Sequence, residues 1–325
     1  MSDFIAIFVM SVDLLFYMFS STKISEFSDI RKCLNTFMYQ ALAFLASKNA
    51  AEIRYKMKRK TNYKIIICLL LLFLPAVGAN AQDDNTFSPD CPGATTGPDI
   101  MPLWKIDWET GFSHEWNRRN GAHERTWVIN TSTFRMGVTP NAELRLQIDE
   151  STTHTPENNY TGISAAAIGT KIKITDGNGA LPKMSFLGTL LLPGNSRSHY
   201  LPQHVGIQTH LLFENELSNS FSLGYDVGAE WSGDTNNPNI FFGVCLNYQA
   251  TDKLSFFIES YNLYNSQKQD DWAKPGRASH FNCMSEIGAA YMVSPRLQVN
   301  LYGDINLNEP SKYANVGLGI AWLLN

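Results

Sequence analysis

The sequence is short of the features that mark helical membrane proteins and nucleic-acid-binding proteins. Charged residues make up only 17% of its 325 residues, and the net charge of −4 offers no basic excess for nucleic acid. After residue 81, no apolar run approaches the ~20 residues that a spanning helix needs. The cysteines in that part, Cys91, Cys245 and Cys283, are odd in number and widely spaced. This spacing specifies no disulfide pairing and no zinc site, so isolated cysteines are expected.

The first 81 residues have the pattern of a leader rather than of a fold. Residues 57–64 are basic, residues 65–75 are apolar, and Ala79-Asn80-Ala81 is an A-x-A cleavage site. We predict a signal peptide over 57–81, and hence export of the chain. Residues 1–56 are then interpreted as an over-extended or non-native N-terminal segment. The alternative is a membrane helix over 4–19, which is short for a span and is interrupted by Asp13.

What the remainder does contain is alternation of apolar and polar residues. In residues 220–231, apolar side chains from Phe221 to Trp231 occupy every second position, and Ser, Gly, Asp and Glu occupy the others. A strand places such residues on opposite faces, one compatible with lipid and one polar. Ten steps of roughly 3.3 Å, tilted by about 40–45°, span the apolar band of a barrel in a membrane. Aromatic residues at both ends fit its two interfaces.

Twelve such stretches are found, and the connections between them alternate between short and long. They are 105–116, 125–137, 143–149, 162–174, 183–192, 204–217, 220–231, 239–249, 253–264, 281–292, 297–306 and 313–324. Short periplasmic turns alternating with longer outer loops, such as 265–279, are typical of outer-membrane barrels. The sequence therefore predicts an all-β fold, a closed antiparallel transmembrane β-barrel of about 12 strands over residues 105–325. A soluble β-sandwich or propeller would not require this alternation.

Residues 82–104 precede the barrel and are rich in Asp, Asn, Thr, Pro and Gly. We interpret them as a loose periplasmic arm. Twelve strands enclose a lumen between the filled eight-stranded barrels and the open sixteen-stranded porins. The arm is therefore also a candidate plug of a narrow pore.

Charged residues on the polar faces of the strands are the candidate lining of the lumen. Charge at mid-depth on the lipid face costs about 2–4 kcal/mol for Arg or Lys, so the interior is where charges belong. One interpretation is an internal network that braces the barrel; the other is a lining that favours cations or neutral polar solutes over anions. Arg135, Glu143 and Arg145 are predicted to cluster near the periplasmic end as gate or brace, with brace favoured. The candidate lining residues are Glu109, Arg135, Glu143, Arg145, Lys171, Asp226, Glu230, Glu259, Glu286 and Asp304.

Catalytic arrangements are not indicated. His204, His210 and Glu214 share one face of a predicted strand that Ser185 could neighbour, but no nucleophile motif accompanies them. The two histidines are about 20 Å apart along an extended strand, too far to share a metal. We predict no catalytic residues, no metal and no cofactor.

Two segments of the chain resemble a known family. The stretch FRMGVTPNAELRL at 134–146 is similar to its hairpin, in which Arg and Gly precede a tight turn and Glu-Leu-Arg-Leu follows. The closing strands are similar as well, with GAAY at 288–291, SPRLQVN at 294–300 and GLG at 317–319. The family is that of the outer-membrane transporters of the MetA-pathway-of-phenol-degradation group. Asn300 stands where the family usually has Asp, and Leu323 where Arg is common.

The resemblance implies a barrel in the outer membrane of a Gram-negative cell. The expected function is a porin-like channel or facilitator for passive uptake of small solutes, hydrophobic or aromatic ones included. The first alternative is a non-conducting barrel with a structural, adhesion or assembly role. A less favoured alternative is an outer-membrane lipid hydrolase. The expected partners are the lipid bilayer, a small-molecule solute and the outer-membrane assembly machinery during biogenesis, without nucleic acid. The last polar, glycine, apolar and aromatic positions, Asn315, Gly317, Ile320 and Trp322, resemble a signal for that machinery.

Overall fold

The structure is a computed structural model, and it describes most of the chain after residue 86. The described residues are 87–90, 93–119, 122–195, 198–235, 237–269, 279–308 and 312–325. The predicted N-terminal segment (1–56) and signal peptide (57–81) lie outside them. Among the described residues, no helix has the length and hydropathy needed to cross a membrane.

Twelve β-strands form the whole of the regular structure in the described part of the chain. In chain order they are β1 Ile106–Arg119, β2 Ala122–Thr139, β3 Ala142–His154, β4 Asn159–Thr175, β5 Lys183–Leu191, β6 Gly206–Ser218, β7 Phe221–Trp231, β8 Asn239–Gln249, β9 Leu254–Gln269, β10 Ser279–Ser294, β11 Leu297–Asn306 and β12 Lys312–Leu323.

Each strand pairs antiparallel with its neighbours in sequence, and β1 pairs with β12 to close the barrel. The closing ladder is long, running from the pair Asp107–Leu323 to the pair Arg118–Lys312. Closure pairs both edges of every strand, which is the condition for a sheet to cross lipid. The predicted closed barrel of twelve strands is confirmed, and each predicted stretch overlaps one strand.

Alternation along each strand separates a lipid-facing side from an interior side. On β3, Leu144, Leu146 and Ile148 are exposed on the outer surface, whereas Glu143 is completely buried. The same division appears on β12, where Leu318, Ile320 and Trp322 are exposed and Ala321 is buried. Apolar groups can meet hydrocarbon at no cost, and polar groups need partners, so the charged side chains face the interior.

Several strands extend further than the alternation predicts, chiefly at the end of the barrel away from the chain termini. β1 and β2 continue to Arg119 and Ala122, and the segment 151–161, predicted as a loop, contains the last residues of β3 and the first of β4. Beyond the bilayer neither face of a strand meets lipid, so the ladder continues while the apolar alternation stops. Of the loop predicted over 265–279, β9 takes residues 265–269 and β10 takes Ser279, and the rest lies outside the described part.

The cysteines differ from the expectation of three isolated thiols. Cys283 is disulfide-bonded, so that expectation is wrong for this residue. Cys245 is free and buried. It lies on β8 opposite Glu259 of β9, a residue whose side chain faces the interior.

Candidate functional site: an arm seated in the barrel lumen

The segment that precedes β1 runs inside the barrel. Its described residues, 87–90 and 93–104, are called the arm. The backbone of the arm bonds to interior side chains of widely separated strands. Arg135 on β2 donates to the Ser88 carbonyl oxygen at 3.0 Å, and Ser185 on β5 donates to that of Pro98. On the opposite wall, the Thr95 N–H donates to Glu259 Oε1 on β9 at 2.8 Å. The expectation was a loose arm; this part of it crosses the lumen instead.

Asp90 is the anchor of the arm to one wall. Lys171 Nζ on β4 donates to both oxygens of the Asp90 carboxylate, at 2.8 and 2.9 Å. Arg145 Nη1 forms a second ion pair with it, and Arg135 Nη2 lies 3.4 Å from it. Arg135 and Lys171 are fully buried. We call these three cations, Arg135, Arg145 and Lys171, the basic wall.

Carboxylates on the strands complete the charge balance of the basic wall. Glu143 Oε1 accepts from Arg135 Nε at 3.1 Å and from Arg145 Nη1 at 2.9 Å. Glu109 Oε1 accepts from Arg135 Nη1 at 2.9 Å and also from the Asp90 N–H at 2.8 Å. Buried charges are tolerated when they are paired and bonded in this way, and removal of one partner leaves the others uncompensated. The structure thus joins Arg135, Glu143 and Arg145 and adds Asp90 to them.

Asp90 also sets an expectation for pH dependence. Burial by itself raises the pKa of its carboxyl, but Arg135, Lys171 and Arg145 outweigh burial and hold the pKa well below its usual range. A carboxyl whose pKa is lowered by docking stabilises the docked arm fully at pH values above its ordinary pKa of about 4. This stabilisation declines as the pH falls below that value. We expect channel conductance to show no step from Asp90 between pH 8 and pH 5, measured as the difference between the wild type and Asp90→Asn. A difference that disappears between pH 6 and pH 5 would contradict this.

The tip of the arm packs against glycine on the opposite wall. A Cβ atom at Gly243 on β8 would overlap Thr95 Oγ1. Thr95 is buried, and its methyl group also approaches Gly224 on β7. Glycine at position 243 therefore leaves room for the docked arm and also for the carboxylate of Asp226 on β7, which a Cβ atom there would approach to 2.8 Å.

We expect Gly243→Ala to displace the tip of the arm. Overlap with Thr95 costs about 1–3 kcal/mol, which lowers the docked fraction and uncovers the interior around Cys245. The expected result is a rise of about tenfold in the rate at which a membrane-impermeant maleimide labels Cys245, located by peptide mapping. Gly162→Ala on β4 is the matched control, because no described atom lies within 4 Å of its Cβ position. Equal labelling rates in the two variants would refute the role of Gly243.

The root of the arm is fixed just before β1. The Met101 N–H donates to Glu143 Oε2 at 2.7 Å. Trp104 N–H donates to the Gly137 carbonyl oxygen at 2.8 Å, and Gly137 N–H donates back to that of Lys105 at 3.2 Å. The root and tip together hold the arm to β2 and β3 on one side and to β8 and β9 on the other.

A second feature of the described interior is a row of carboxylates that no described cation neutralises. Ladder pairs join Glu259 to Glu286, and Glu286 to Asp304. Asn315 of β12 connects Asp304 to Glu115 of β1. We call Glu259, Glu286, Asp304 and Glu115 the acidic row. Among the described residues, no Lys, Arg or His forms an ion pair with the row.

Hydrogen bonds satisfy the acidic row only in part. Asp304 accepts from Tyr261 at 3.0 Å and from Asn315 at 2.9 Å. Glu286 Oε1, by contrast, has no hydrogen-bond partner in the part of the chain that the structure describes. The row is therefore the place where the interior can interact with a positively charged or hydrogen-bonding solute.

The remaining predicted lining residues bond to neighbours on adjacent strands. Asp226 Oδ2 lies 3.1 Å from His210 Nδ1, and Glu230 accepts from Gln208 at 3.3 Å. His204 instead lies before β6 and contacts Asp234 of an outer loop. In the described part of the chain, no three His, Cys, Asp or Glu side chains are arranged to hold a metal ion. The roles of these residues in a pore stay predictions.

Sequence reasoning missed the contacts of the arm. Asp90 and Thr95 lie in a segment without periodicity, so the alternation of side chains along a strand does not show which way they point. One signal was available, because Arg135 and Arg145 face each other across the β2–β3 ladder. Like charges placed directly opposite each other destabilise a sheet unless anions stand between them. Here one of those anions comes from outside the barrel wall.

A closed twelve-stranded barrel, apolar outside and charged within, is an outer-membrane β-barrel protein. The model of the family described as MetA-pathway of phenol degradation matches residues 89–324. The chain belongs to that family, and the matched region includes most of the arm together with the barrel.

Comparison with solved structures agrees with the fold. The chain is similar to the COG4313 outer membrane channel from Pseudomonas putida F1, with 12% identity, 72% of this chain and 99% of that chain covered, and a TM-score of 0.57. It also aligns with the NanC porin (9% identity, 66% and 98% covered, TM-score 0.44). A third alignment is with the translocator domain of NalP from Neisseria meningitidis (12% identity, 68% and 88% covered, TM-score 0.42). The first similarity shows a shared fold. No curated protein sequence matches the chain.

Proposed function

We propose that this barrel is a passive channel for small solutes across the outer membrane, with passage controlled by the arm. The observation that carries the proposal is the arm itself, which crosses the lumen between the basic wall and the acidic row. A barrel whose only task is to fill its own interior could do so with strand side chains, as eight-stranded barrels do. The described contacts of this segment with the wall are ion pairs and hydrogen bonds, which can break without unfolding the barrel.

The preferred solutes in this proposal are cations and neutral polar molecules. The cations of the basic wall are neutralised by Asp90, Glu143 and Glu109. The acidic row has no such compensation among the described residues, so each carboxyl of the row that ionises gives the described interior an excess of negative charge. Rings and rows of carboxylates favour cations in pores.

Two further expectations rest on resemblance. Hydrophobic or aromatic solutes stay a prediction of the family resemblance, and so does recognition of the closing strand by the outer-membrane assembly machinery. The family model and the outer-membrane channel of similar fold support the channel role.

The test is the conductance of refolded protein, residues 82–325, in a planar lipid bilayer, with the reversal potential in a salt gradient as the measure of selectivity. Steady cation-selective openings support the proposal. A folded barrel that never conducts, either intact or after removal of residues 82–100, would overturn it.

A non-conducting barrel is the second candidate function, and the same arm favours it. Its contacts reach β2, β3, β4, β5 and β9, which would brace the wall against collapse. The two functions predict different results when the arm is removed. Deletion of 82–100 should give a folded, conducting barrel if the arm controls passage, and a destabilised barrel if it is a brace.

A further inference from the structure

The outer surface of the barrel carries a cluster of basic residues where β12, β1 and β2 meet at one end. Ladder pairs place Lys312 beside Arg118, and Arg118 beside His123. Arg125 pairs with Trp116, which is exposed on the outer surface. Side chains alternate along a strand, so these four basic residues share the outward face with Trp116. All four are exposed. We call Arg118, His123, Arg125 and Lys312 the outer basic patch.

An aromatic cluster lies directly beside the patch on the same face. The rings of His114 and Trp127 stack at 3.6 Å, and His114 meets Trp116 edge-on at 4.1 Å. Phe112 follows, 5.6 Å from Trp127. Trp116 and Trp127 are 42% and 38% exposed, so their rings are open to the surrounding membrane. Tryptophan in this position is typical of the boundary between hydrocarbon and headgroups.

A second aromatic group marks the opposite boundary of the membrane. Trp108 pairs with both Phe134 and Trp322 on the outward face. From Trp108 to Trp116 is eight residues, or roughly 26 Å along the strand. With a tilt of about 40° this is roughly 20 Å of depth, close to the height of the apolar band of a barrel. The outer basic patch therefore lies just beyond the hydrocarbon, at the level of the lipid headgroups.

The patch belongs to the outer leaflet. The described arm and the connections 140–141, 219–220, 250–253 and 295–296 share the other end of the barrel. Those short turns and the arm define the periplasmic end. β1 runs from there to the patch, and β2 returns from it.

The charges of the patch are uncompensated within the described part of the chain. Arg118, Arg125 and Lys312 form no ion pair there, in contrast to the interior cations. Glu124 lies between His123 and Arg125 in sequence, so alternation turns it to the interior face. Three cations thus stand together at headgroup depth on a lipid-facing surface.

We propose that the outer basic patch binds the phosphate groups of the phosphorylated glycolipid of the outer leaflet, with the acyl chains against the aromatic cluster. Guanidinium groups match the geometry of phosphate oxygens, and a lipid supplies phosphate and hydrocarbon at the spacing that the patch and the cluster present. A basic residue near an anionic membrane surface contributes about a fivefold gain in binding. This inference does not depend on whether the barrel conducts.

The experiment is a titration of the purified protein, residues 82–325, in detergent, followed by native mass spectrometry. The probes are bisphosphorylated lipid A, the same lipid A after enzymatic removal of both phosphates, and inorganic phosphate. The test variant is Arg118→Gln/Arg125→Gln. The matched control is Lys253→Gln/Arg296→Gln, which removes two exposed charges at the periplasmic end. Heat-modifiable migration on gels confirms that each variant is a folded barrel.

We expect tighter binding of the phosphorylated lipid than of the dephosphorylated one, a roughly twenty- to thirtyfold loss in the Arg118/Arg125 variant, and no loss in the control. Equal binding of both lipids to the wild type would overturn the proposal. An equal loss of binding in the control would show that only the net charge of the protein matters, and this would also overturn the proposal. Saturable binding of inorganic phosphate that competes with the lipid would assign the patch to free phosphate instead.

Discussion

Replacement of Asp90 by asparagine is expected to release the arm and raise the single-channel conductance of the barrel. Asparagine keeps the size of the side chain but removes the charge that Arg135, Arg145 and Lys171 share. Removal of one member of a buried ion network costs about 3–5 kcal/mol. That cost changes the ratio of docked to undocked arm by about 10²–10⁴. A channel that is closed most of the time should then be open for a large part of the recording.

A second measurement and a control variant separate release of the arm from general damage to the barrel. Labelling of Cys245 by maleimide should rise together with conductance, because the Thr95 end of the arm lies over that part of the wall. Asp176→Asn is the matched control, since Asp176 pairs with Lys173 at an exposed turn and forms no ion pair with the described arm. Wild-type conductance and labelling in a folded Asp90→Asn barrel would show that the ion pairs of Asp90 do not hold the arm.

The second large effect is expected from the acidic row. Glu286→Gln and Asp304→Asn together remove two neighbouring ionisable carboxyl groups with little change in shape. The introduced amide oxygen at position 304 can still accept a hydrogen bond from Tyr261. A unit charge about 8 Å from a passing ion, at an effective dielectric constant of about 40, contributes about 1 kcal/mol, a factor of about five. We expect the ratio of cation to anion permeability, obtained from the reversal potential, to fall at least fivefold.

The control for the acidic row removes the same charge from outside the lumen. Glu157→Gln/Asp252→Asn changes two exposed carboxylates in connections between strands. Its permeability ratio should stay close to that of the wild type. A ratio that is unchanged in the Glu286/Asp304 variant would locate the selectivity of the pore elsewhere, and a ratio that falls equally in both variants would indicate a surface effect.

Barrel strands could be predicted closely from the sequence because lipid enforces their pattern. β7 and β11 were predicted to within a residue at either end, since each of their positions faces either hydrocarbon or the interior. The outer ends of β1, β2 and β9 were predicted too short, because residues beyond the bilayer are free of that constraint. The interior positions of the charged residues were predicted from the same alternation of apolar and polar residues.

The sequence by itself determined the class of protein, the number of strands, their order around the barrel and the face on which the charged residues lie. These follow from a period of two and from the cost of charge in lipid, both of which act on each strand separately. Only the tertiary structure decided that Asp90 meets the basic wall, and that Thr95 meets Gly243 and Glu259. The arm has no periodicity, and its path depends on bonds to strand residues 19 to 164 positions away along the chain. Contacts of that kind exist only once the barrel has closed around them.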